Sequence, residues 1–322
     1  MKEEIKVSII CNVFNHEKYI RDALEGFVSQ KTSFLFEVLI HDDASTDRSA
    51  DIIHEYEVNY PDLIKPIYQT QNQYSRGGGI TRRFQTPRAR GKYIAICEGD
   101  DYWTDQYKLQ KQYDFLENNP EYSMCTCSAV WLDMRTMKQE NLCATATDRD
   151  VELEEIILEP NGRVFQYASI FARCEVFRTL PEWTRKFRVG DLPLEMYAAT
   201  CGKIRMLADS MVVYRNHVRG SWTERIDKNV QYKTKMFTAT IDGMNAFNEA
   251  TGYRYDEIVS RRINKQEYLI ARINGDLSGL RTGDLRNIYM SKSFIGRLSD
   301  VLMCKVPRLH ACLKILILKV RR

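Results

Sequence analysis

The chain has 322 residues, of which 44% are hydrophobic and 28% are charged, and its formal net charge is +4. This length allows a large buried core, and so small a net charge gives no indication of a nucleic-acid-binding protein. The nine cysteines are an odd number and are scattered, which excludes a secreted disulfide scaffold and favours free thiols in a reducing cytoplasm.

Strands and helices alternate through the first half of the sequence. Short apolar runs predict buried strands at 5–13, 36–40, 64–68, 92–97 and 122–131. Amphipathic spacing predicts helices between them, at 16–31, 46–60, 81–90 and 105–118. The alternation predicts an α/β domain with a doubly wound, mostly parallel sheet and right-handed crossovers.

The second half has a weaker pattern. Asp191–Cys201 is predicted to be a helix and Met206–Tyr214 a strand, and the pattern becomes helical from residue 228. We therefore predict one α/β domain over residues 1–225 and a helical C-terminal region over residues 226–322. Cys125 and Cys127 have a spacing seen in metal sites, but no second Cys or His pair follows, so we expect two buried thiols in a strand.

Two groups of acidic residues follow predicted strands. Asp42 and Asp43 end the second strand, and Glu98, Asp100 and Asp101 follow the fourth. Ligands of doubly wound sheets bind beyond the carboxyl ends of the strands, where both groups are expected. Asp100 and Asp101 either share a divalent cation with substrate phosphates or form a polar turn. Asp42 and Asp43 either accept hydrogen bonds from a nucleoside or serve as turn and helix-cap residues.

Several motifs, in order along the chain, resemble those of glycosyltransferase family 2, the inverting enzymes with a GT-A fold. VSIICNVFNHEKYI is similar to the family's opening strand and FEVLIHDDASTD to its second strand and acidic turn. GKYIAICEGDD resembles the strand that carries its D-x-D motif. DYWTDQYKLQKQYDFLENNP, and GDLPLEMYAATCGKI with VYRNHVRGSW, resemble members that make bacterial surface polysaccharides. Their co-occurrence makes the resemblance specific where each motif alone is not.

Four positions depart from the family pattern. Phe14 replaces a tyrosine and therefore has no hydroxyl, and Ala44 replaces the glycine of the acidic turn. Glu98 replaces the first acid of D-x-D and is one methylene longer. Arg82 lies in the sequence Thr-Arg-Arg where the family has Ala-Arg-Asn. None of these changes removes a group that the chemistry needs.

The resemblance implies a role for each matching position. The nucleoside of a nucleotide-sugar donor would be held by Asn12, Phe14, Asp42, Asp43, Arg82 and Glu98. Asp100 would be the main ligand of a Mg²⁺ or Mn²⁺ ion, with Asp101 adjacent. A cation there would offset the charge that builds on the departing diphosphate.

The resemblance also implies an acceptor side. Asp191, at the start of a predicted helix, would be the general base for an acceptor hydroxyl, whereas the simpler interpretation is a helix N-cap. His217 and Trp222 fall in a predicted mobile loop. There they either reach the diphosphate and cover the sugars, or are a surface histidine and an apolar anchor.

The end of the sequence is basic and amphipathic. Residues 297–322 contain seven Lys or Arg against one acid, with leucines and valines at helical spacing. Such a segment lies on an anionic membrane surface, or packs its apolar stripe on the core or on a second subunit. No signal peptide or membrane span is apparent, so we expect a cytoplasmic protein that is peripheral on the inner face of the cell membrane.

These features predict a metal-dependent inverting glycosyltransferase. It would move a monosaccharide from a nucleotide-diphosphate sugar, with UDP-sugar favoured, to a glycan or lipid-linked glycan acceptor in surface polysaccharide biosynthesis. No nucleic acid partner is expected, and an oligomer is left open. Two other classes stay open: a nucleotidyltransferase, although the Gly-rich basic loop usual after the first strand is absent, and a non-catalytic module that binds nucleotide sugars or glycans.

Overall fold

The computed structural model describes residues 4–77, 79–160, 162–218 and 229–306. These residues form two compact units. The first contains residues 4–181 and 190–218, and the second contains residues 182–189 and 229–306. The domain boundary predicted at residue 225 falls between 218 and 229, outside the described residues.

The first unit is built on one sheet. Its strands are β1 (Ile5–Val13), β2 (Leu35–Asp42), β3 (Ile64–Tyr68), β4 (Tyr93–Ile96), β5 (Tyr102–Trp103), β6 (Tyr122–Asp133), β7 (Gln139–Cys143), β8 (Arg149–Val151), β9 (Phe171–Arg173) and β10 (Lys203–Asn216). Within the described residues the strand order is β3-β2-β1-β4-β9-β6-β10-β5, and β7 and β8 pair with β6 and β10 respectively.

Within this strand order, two strands run against their neighbours: β9 in the middle and β5 at the edge, where it is antiparallel to β10. β1 is parallel to β2 and β4, β2 is parallel to β3, and β6 is parallel to β10. β9 lies between β4 and β6 and is antiparallel to both. The predicted α/β fold is confirmed, with a parallel half formed by β1 to β4 and a mixed half beyond β9.

The described part of the first unit contains six α-helices: α1 (Ile20–Val28), α2 (Ser49–Asn59), α3 (Lys108–Asn118), α4 (Leu153–Leu158), α5 (Cys174–Arg178) and α6 (Asp191–Cys201). The helix predicted at 16–31 is shorter: α1 begins at Ile20, after the non-helical Tyr19 with its φ of −128°, and ends at Val28. The stretch predicted to be helical at 81–90, with an interruption at Pro87, is helical over 81–88 but is not a regular α-helix. A π-helical turn, Thr81–Gln85, is followed by a 3-10 turn, Thr86–Arg88, because Pro87 has no N–H to continue a helix.

The two central strands of the first unit are closely packed. β4 is buried throughout, and β1 is buried from Val7 to Cys11 and at Val13. Gly91, just before β4, lies so close to β1 that a Cβ atom there would be 2.5 Å from the backbone nitrogen of Ser8. The buried cysteines of the described residues are free thiols, as predicted: Cys11, Cys97, Cys125, Cys127, Cys143 and Cys174.

The second unit is helical, as predicted for its sequence. It contains α7 (Val230–Ala250), α8 (Asp256–Ile273), α9 (Leu285–Ser291) and α10 (Phe294–Lys305), with a 3-10 segment at Glu182–Lys186. Asp300 of α10 is buried and forms ion pairs with Arg272 of α8 and with Lys292, each at 2.7 Å. The hydroxyl of Tyr268 also donates to Asp300, so α10 is fixed on α8. None of the described helices has both the length and the apolar character needed to cross a bilayer.

Candidate active site

The predicted acids lie at the carboxyl ends of β2 and β4, the two strands on either side of β1. The carbonyl of Asn12 in β1 accepts the N–H of Gly99 after β4, at 3.1 Å. The carbonyl of Val13 accepts the N–H of Asp43 after β2, at 2.9 Å. The end of β1 therefore holds both acidic turns, and the structure brings the two groups together as the parallel sheet predicts.

The two acids that follow β2 have different surroundings. The carboxylate of Asp43 accepts the backbone N–H groups of Gln73, at 2.6 Å, and Tyr74, at 3.0 Å, and thereby holds the loop after β3. Asp42 Oδ2 accepts the N–H of Ser45 at 3.2 Å, while its buried Oδ1 has no hydrogen-bond partner among the described residues. Burial raises the pKa of Asp42. Asp42 therefore has an oxygen, Oδ1, that can accept a hydrogen bond from a ligand, whereas both oxygens of Asp43 already accept hydrogen bonds from the protein.

A polar cluster joins β1 to the turn after β4. Asn12 Nδ2 donates to Thr81 Oγ1 at 3.1 Å and to Glu98 Oε1 at 3.3 Å, and Asn12 Oδ1 is buried with no partner among the described residues. Burial, followed by repulsion from Asp100, raises the pKa of Glu98 to about 8. Burial and the charge of Glu98 also raise the pKa of Tyr167. Tyr167 was not predicted as a site residue.

Phe14 and Arg82 are close in sequence to members of this cluster: Phe14 is two residues after Asn12, and Arg82 directly follows Thr81. The Phe14 side chain, just past the end of β1, is 41% exposed and can present a ring to a ligand. Arg82 belongs to the π-helical turn, which Gln85 fixes over the sheet. Gln85 Nε2 donates to the carbonyl of Leu39 at 2.9 Å and to that of Cys11 at 3.2 Å.

The two adjacent acids after β4 differ in their surroundings: Asp101 is hydrogen-bonded to the protein, and Asp100 is partly exposed. Asp101 is buried, and its Oδ1 accepts the N–H of Arg215 in β10 at 2.8 Å. Burial and the neighbouring Asp100 raise the pKa of Asp101 well above its usual range. The Asp100 carboxylate is 21% exposed, and its Oδ2 lies 3.9 Å from His16 Nε2. Only Asp100 of this pair turns a carboxylate toward solvent.

These residues can be compared with the needs of Mg²⁺ or Mn²⁺. In the part of the chain that the structure describes, no three His, Cys, Asp or Glu side chains form a group that would hold a metal ion alone. Mg²⁺ often takes one or two carboxylates and completes its coordination with substrate phosphates and water. The partly exposed Asp100 fits a cation shared with substrate, and the described residues do not fit a metal bound by protein groups alone.

Arg215 fixes the acidic turn from a second direction. Its Nη1 donates to the Asp100 carbonyl at 3.0 Å, and its guanidinium lies 4.3 Å from the centre of the Tyr102 ring. The same guanidinium forms an ion pair with Asp22 of α1. Because Arg215 is almost fully buried, these contacts hold the turn between α1 and β10. Arg215 lies within the motif VYRNHVRGSW, but the motif gave it no role, because its contacts are with residues distant in sequence.

Asp191 is the first residue of α6 and is held by an arginine. Its Oδ2 accepts Arg163 Nη1 at 2.6 Å, and its Oδ1 accepts the N–H of Leu192 at 2.8 Å. Arg163 also pairs with the buried Glu195, one turn along α6. Burial raises the pKa of Glu195 to about 8, although Arg163 offsets part of this rise. Asp191 also contributes to the raised pKa of Glu98, so α6 lies within electrostatic range of the acidic turn.

His217 lies at the end of β10, next to a different acid. Its backbone has a left-handed φ of 61°, and its Nε2 is 4.0 Å from Asp133 Oδ2 at the end of β6. A hydrogen bond from Arg135, rather than His217, is the largest cause that lowers the pKa of Asp133 to about 2. Trp222, the other predicted lid residue, lies outside the described residues.

Comparison with known proteins identifies the family. The model of Glycosyl transferase family 2 matches residues 8–179. The uncharacterized protein Rv1520 of Mycobacterium tuberculosis is 36% identical over 222 residues, which cover 67% of this chain and 60% of that protein. The chain therefore spans less than two thirds of that relative. The putative teichuronic acid biosynthesis glycosyltransferase TuaG of Bacillus subtilis is 34% identical over 110 residues, 34% of this chain and 41% of TuaG.

Solved structures agree on the fold. The crystal structure of S. aureus TarS 1-349 in complex with UDP-GlcNAc has a TM-score of 0.55 and 16% sequence identity, over 93% of this chain and 79% of that one. This similarity confirms the predicted GT-A fold. The match to the family model covers more than half of the chain and contains both acidic turns at the ends of β2 and β4. The chain belongs to glycosyltransferase family 2.

Proposed function

We propose that the chain is a metal-dependent, inverting glycosyltransferase whose donor is a nucleotide-diphosphate sugar, with a UDP-sugar as the first candidate. The observation that carries the proposal is a pair of held acids: the partly exposed Asp100 beyond the end of β4, and Asp191 at the start of α6, which Arg163 fixes. One acid faces the donor diphosphate and the other faces the acceptor. The family and the UDP-GlcNAc complex of TarS support the donor class.

On the donor side, the proposed nucleoside contacts use the groups that the protein leaves available. Asp42 Oδ1 and Asn12 Oδ1 are buried acceptors with no partner in the described structure, and a base or ribose can donate to them. The exposed ring of Phe14 stacks on the base, and Arg82 and Glu98 complete the group. Asp43 contributes indirectly, because it orders the loop at Gln73.

At the diphosphate, Asp100 is the proposed ligand of Mg²⁺ or Mn²⁺, and the cation supplies charge neutralisation for the leaving group. Asp101 supports this position, because its carboxylate binds β10 through the N–H of Arg215. We keep His217 and Trp222 as proposed diphosphate and lid residues, although Trp222 lies outside the described residues. A lid excludes water when it covers the sugars.

At the acceptor, Asp191 is the proposed general base. The acceptor oxygen attacks the anomeric carbon as the carboxylate takes the hydroxyl proton, and the bond from that carbon to the nucleoside diphosphate breaks with inversion. Arg163 orients the base by its 2.6 Å hydrogen bond to Oδ2. A fixed orientation is required, because small displacements of a catalytic group cost large factors in rate.

The proposed acceptor is a glycan or lipid-linked glycan of a bacterial surface polysaccharide. Similarity to TuaG, a putative teichuronic acid biosynthesis glycosyltransferase, supports this class. An acceptor on a lipid carrier fits an enzyme at the inner face of the cell membrane, and the basic residues 297–322 are the proposed point of attachment.

A panel of nucleotide sugars tests the proposal. Release of the nucleoside diphosphate is measured for UDP-, GDP- and dTDP-sugars with Mg²⁺, with Mn²⁺ and with EDTA. We expect metal-dependent release from at least one UDP-sugar. Pyrophosphate release from a nucleoside triphosphate and a sugar phosphate would instead identify a nucleotidyltransferase. Saturable binding with no turnover, before and after addition of a membrane extract as acceptor source, would identify a binding module.

A further inference from the structure

An apolar patch lies on the second unit, at the corner between α9 and α10. Phe294 and Ile295 are 73% and 75% exposed, and Met290 and Leu298 are 53% and 47% exposed. Phe294 and Leu298 are one helical turn apart, and Ile295 lies three residues before Leu298, so these side chains share one face of α10. Single exposed apolar residues are ordinary in proteins, but a group on one face indicates a contact surface.

The opposite face of α10 is fixed to the protein. Asp300 is buried in its ion pairs with Arg272 and Lys292. Cys304, one turn further, packs against the small core formed by Tyr268, Leu280 and Tyr289. Rotation of α10 to bury the apolar patch would break the ion pairs and leave a carboxylate buried without a partner. The patch therefore faces outward in the folded protein.

The charges near the patch in sequence are mostly basic. Residues 284–306 contain four Lys or Arg and two acids, Asp284 and Asp300, and Asp300 is buried in ion pairs with Arg272 and Lys292. Arg297 Nη1 donates to the Met290 carbonyl at 3.3 Å, which places a cation beside the patch. Lys305 is exposed and falls on the same face as Phe294 by helical spacing. The sequence of residues 307–322 adds five Lys or Arg and no acid.

We infer that this face of α10, with Met290 at the end of α9, is a preformed docking surface for an anionic lipid membrane. Exposed Phe, Ile, Leu and Met side chains bury in the headgroup region, and the surrounding cations attract anionic headgroups. The inference rests on the proposed peripheral location of the enzyme, and it names the residues that first contact the membrane. The contact begins at residues 290–298, on a folded and anchored helix, ahead of most of the basic tail.

Sedimentation of the full chain with lipid vesicles tests this surface. The vesicles contain phosphatidylcholine alone or with phosphatidylglycerol. We expect binding to the anionic vesicles, weaker at high salt because the attraction is screened. Phe294→Glu with Ile295→Glu should lower the partition coefficient about tenfold or more, since it removes apolar burial and adds repulsion. Val58→Glu on α2, a residue 64% exposed, is the matched control and should bind like the wild type.

Three results would overturn the inference. The first is a wild-type chain that does not bind anionic vesicles, or a double variant that binds as well as the wild type. The second is a wild-type dimer by light scattering that the double variant converts to a monomer, because a second copy would then occupy the patch. The third is binding that appears only after removal of residues 307–322. UDP affinity, measured on the same variants, should not change, which separates failure of this surface from failure of the proposed glycosyl transfer.

Discussion

Replacement of Asp191 by Asn tests the proposed base most directly. The amide has the shape of the carboxylate, and its oxygen can still accept one of the two hydrogen bonds, from Arg163 at 2.6 Å or from the Leu192 N–H at 2.8 Å. The Asp191 carboxylate is 28% exposed, so the lost ionic contact costs about 1–2 kcal/mol of folding stability. That is small against the roughly 5–15 kcal/mol that keeps a domain folded.

The expected effect on catalysis is larger. A positioned general base contributes about 10²- to 10⁴-fold, or about 3–5 kcal/mol of activation free energy at 1.36 kcal/mol per tenfold. Asp191→Asn should therefore stay folded and bind donor normally while it loses at least about a hundredfold in transfer. Because the expected loss of folding stability is small and the expected loss of rate is large, a slower variant can be interpreted as a defect in the chemical step.

Single-turnover release of the nucleoside diphosphate, with a donor and acceptor that the wild type uses, measures the step. Calorimetry with the nucleoside diphosphate checks the donor site. Glu195→Gln is the matched control, since it changes the other acid that Arg163 holds on the same helix. Transfer by Asp191→Asn within about threefold of the wild type would refute the assignment. Asp191 would then be only the first residue of α6, and Glu195 would be the next candidate base.

Other predictions concern the metal, the pH dependence and the fold. Asp100→Ala should remove the increase in UDP affinity that Mn²⁺ gives over EDTA in calorimetry, and an undiminished increase would contradict the metal assignment. Burial raises the pKa of Glu195 from 4.5 to about 8, so the folded protein retains a proton that the unfolded chain releases, and stability falls as pH rises between those values. Glu195→Gln should make this fall smaller in urea unfolding compared at about pH 5 and about pH 8, and an unchanged pH dependence would exclude Glu195 as its source. Gly91→Ala should destabilise the first unit by about 1–3 kcal/mol or more, because its Cβ would meet the backbone of Ser8 2.5 Å away; a melting temperature equal to that of the wild type would show that β1 and β4 can separate without cost.

The parallel half of the sheet could be predicted from the sequence because each strand is a distinct apolar run. β1 has nine residues and β2 has eight, and each is followed by a helix. β9 has only three residues, too few to produce a periodic signal, and yet it joins the two halves of the sheet. The antiparallel direction of β9 could therefore not be predicted from the sequence.

The positions of the site acids could be predicted, because sequence motifs fix them. The roles of residues that depend on side-chain contacts could not. The predicted strand ends put Asp42 and Asp100 at one edge of the sheet, and the structure has both residues there. The sequence left two roles open for Asp43, and its hydrogen bonds to residues 73 and 74 favour the structural one. Arg163 lies 28 residues before Asp191, in a stretch without a clear pattern. Its importance depends on a side-chain contact that no local spacing indicates.

The buried cysteines make the fold accessible to chemical kinetics. Alkylating reagents react with thiolates, and burial raises the pKa of Cys11 in β1 and of Cys125 and Cys127 in β6. Each of these thiols must wait for its strand to open before it reacts, whereas Cys201 at the end of α6 is exposed. Timed labelling of the native chain would therefore order the opening of β1 and β6 without any engineered probe.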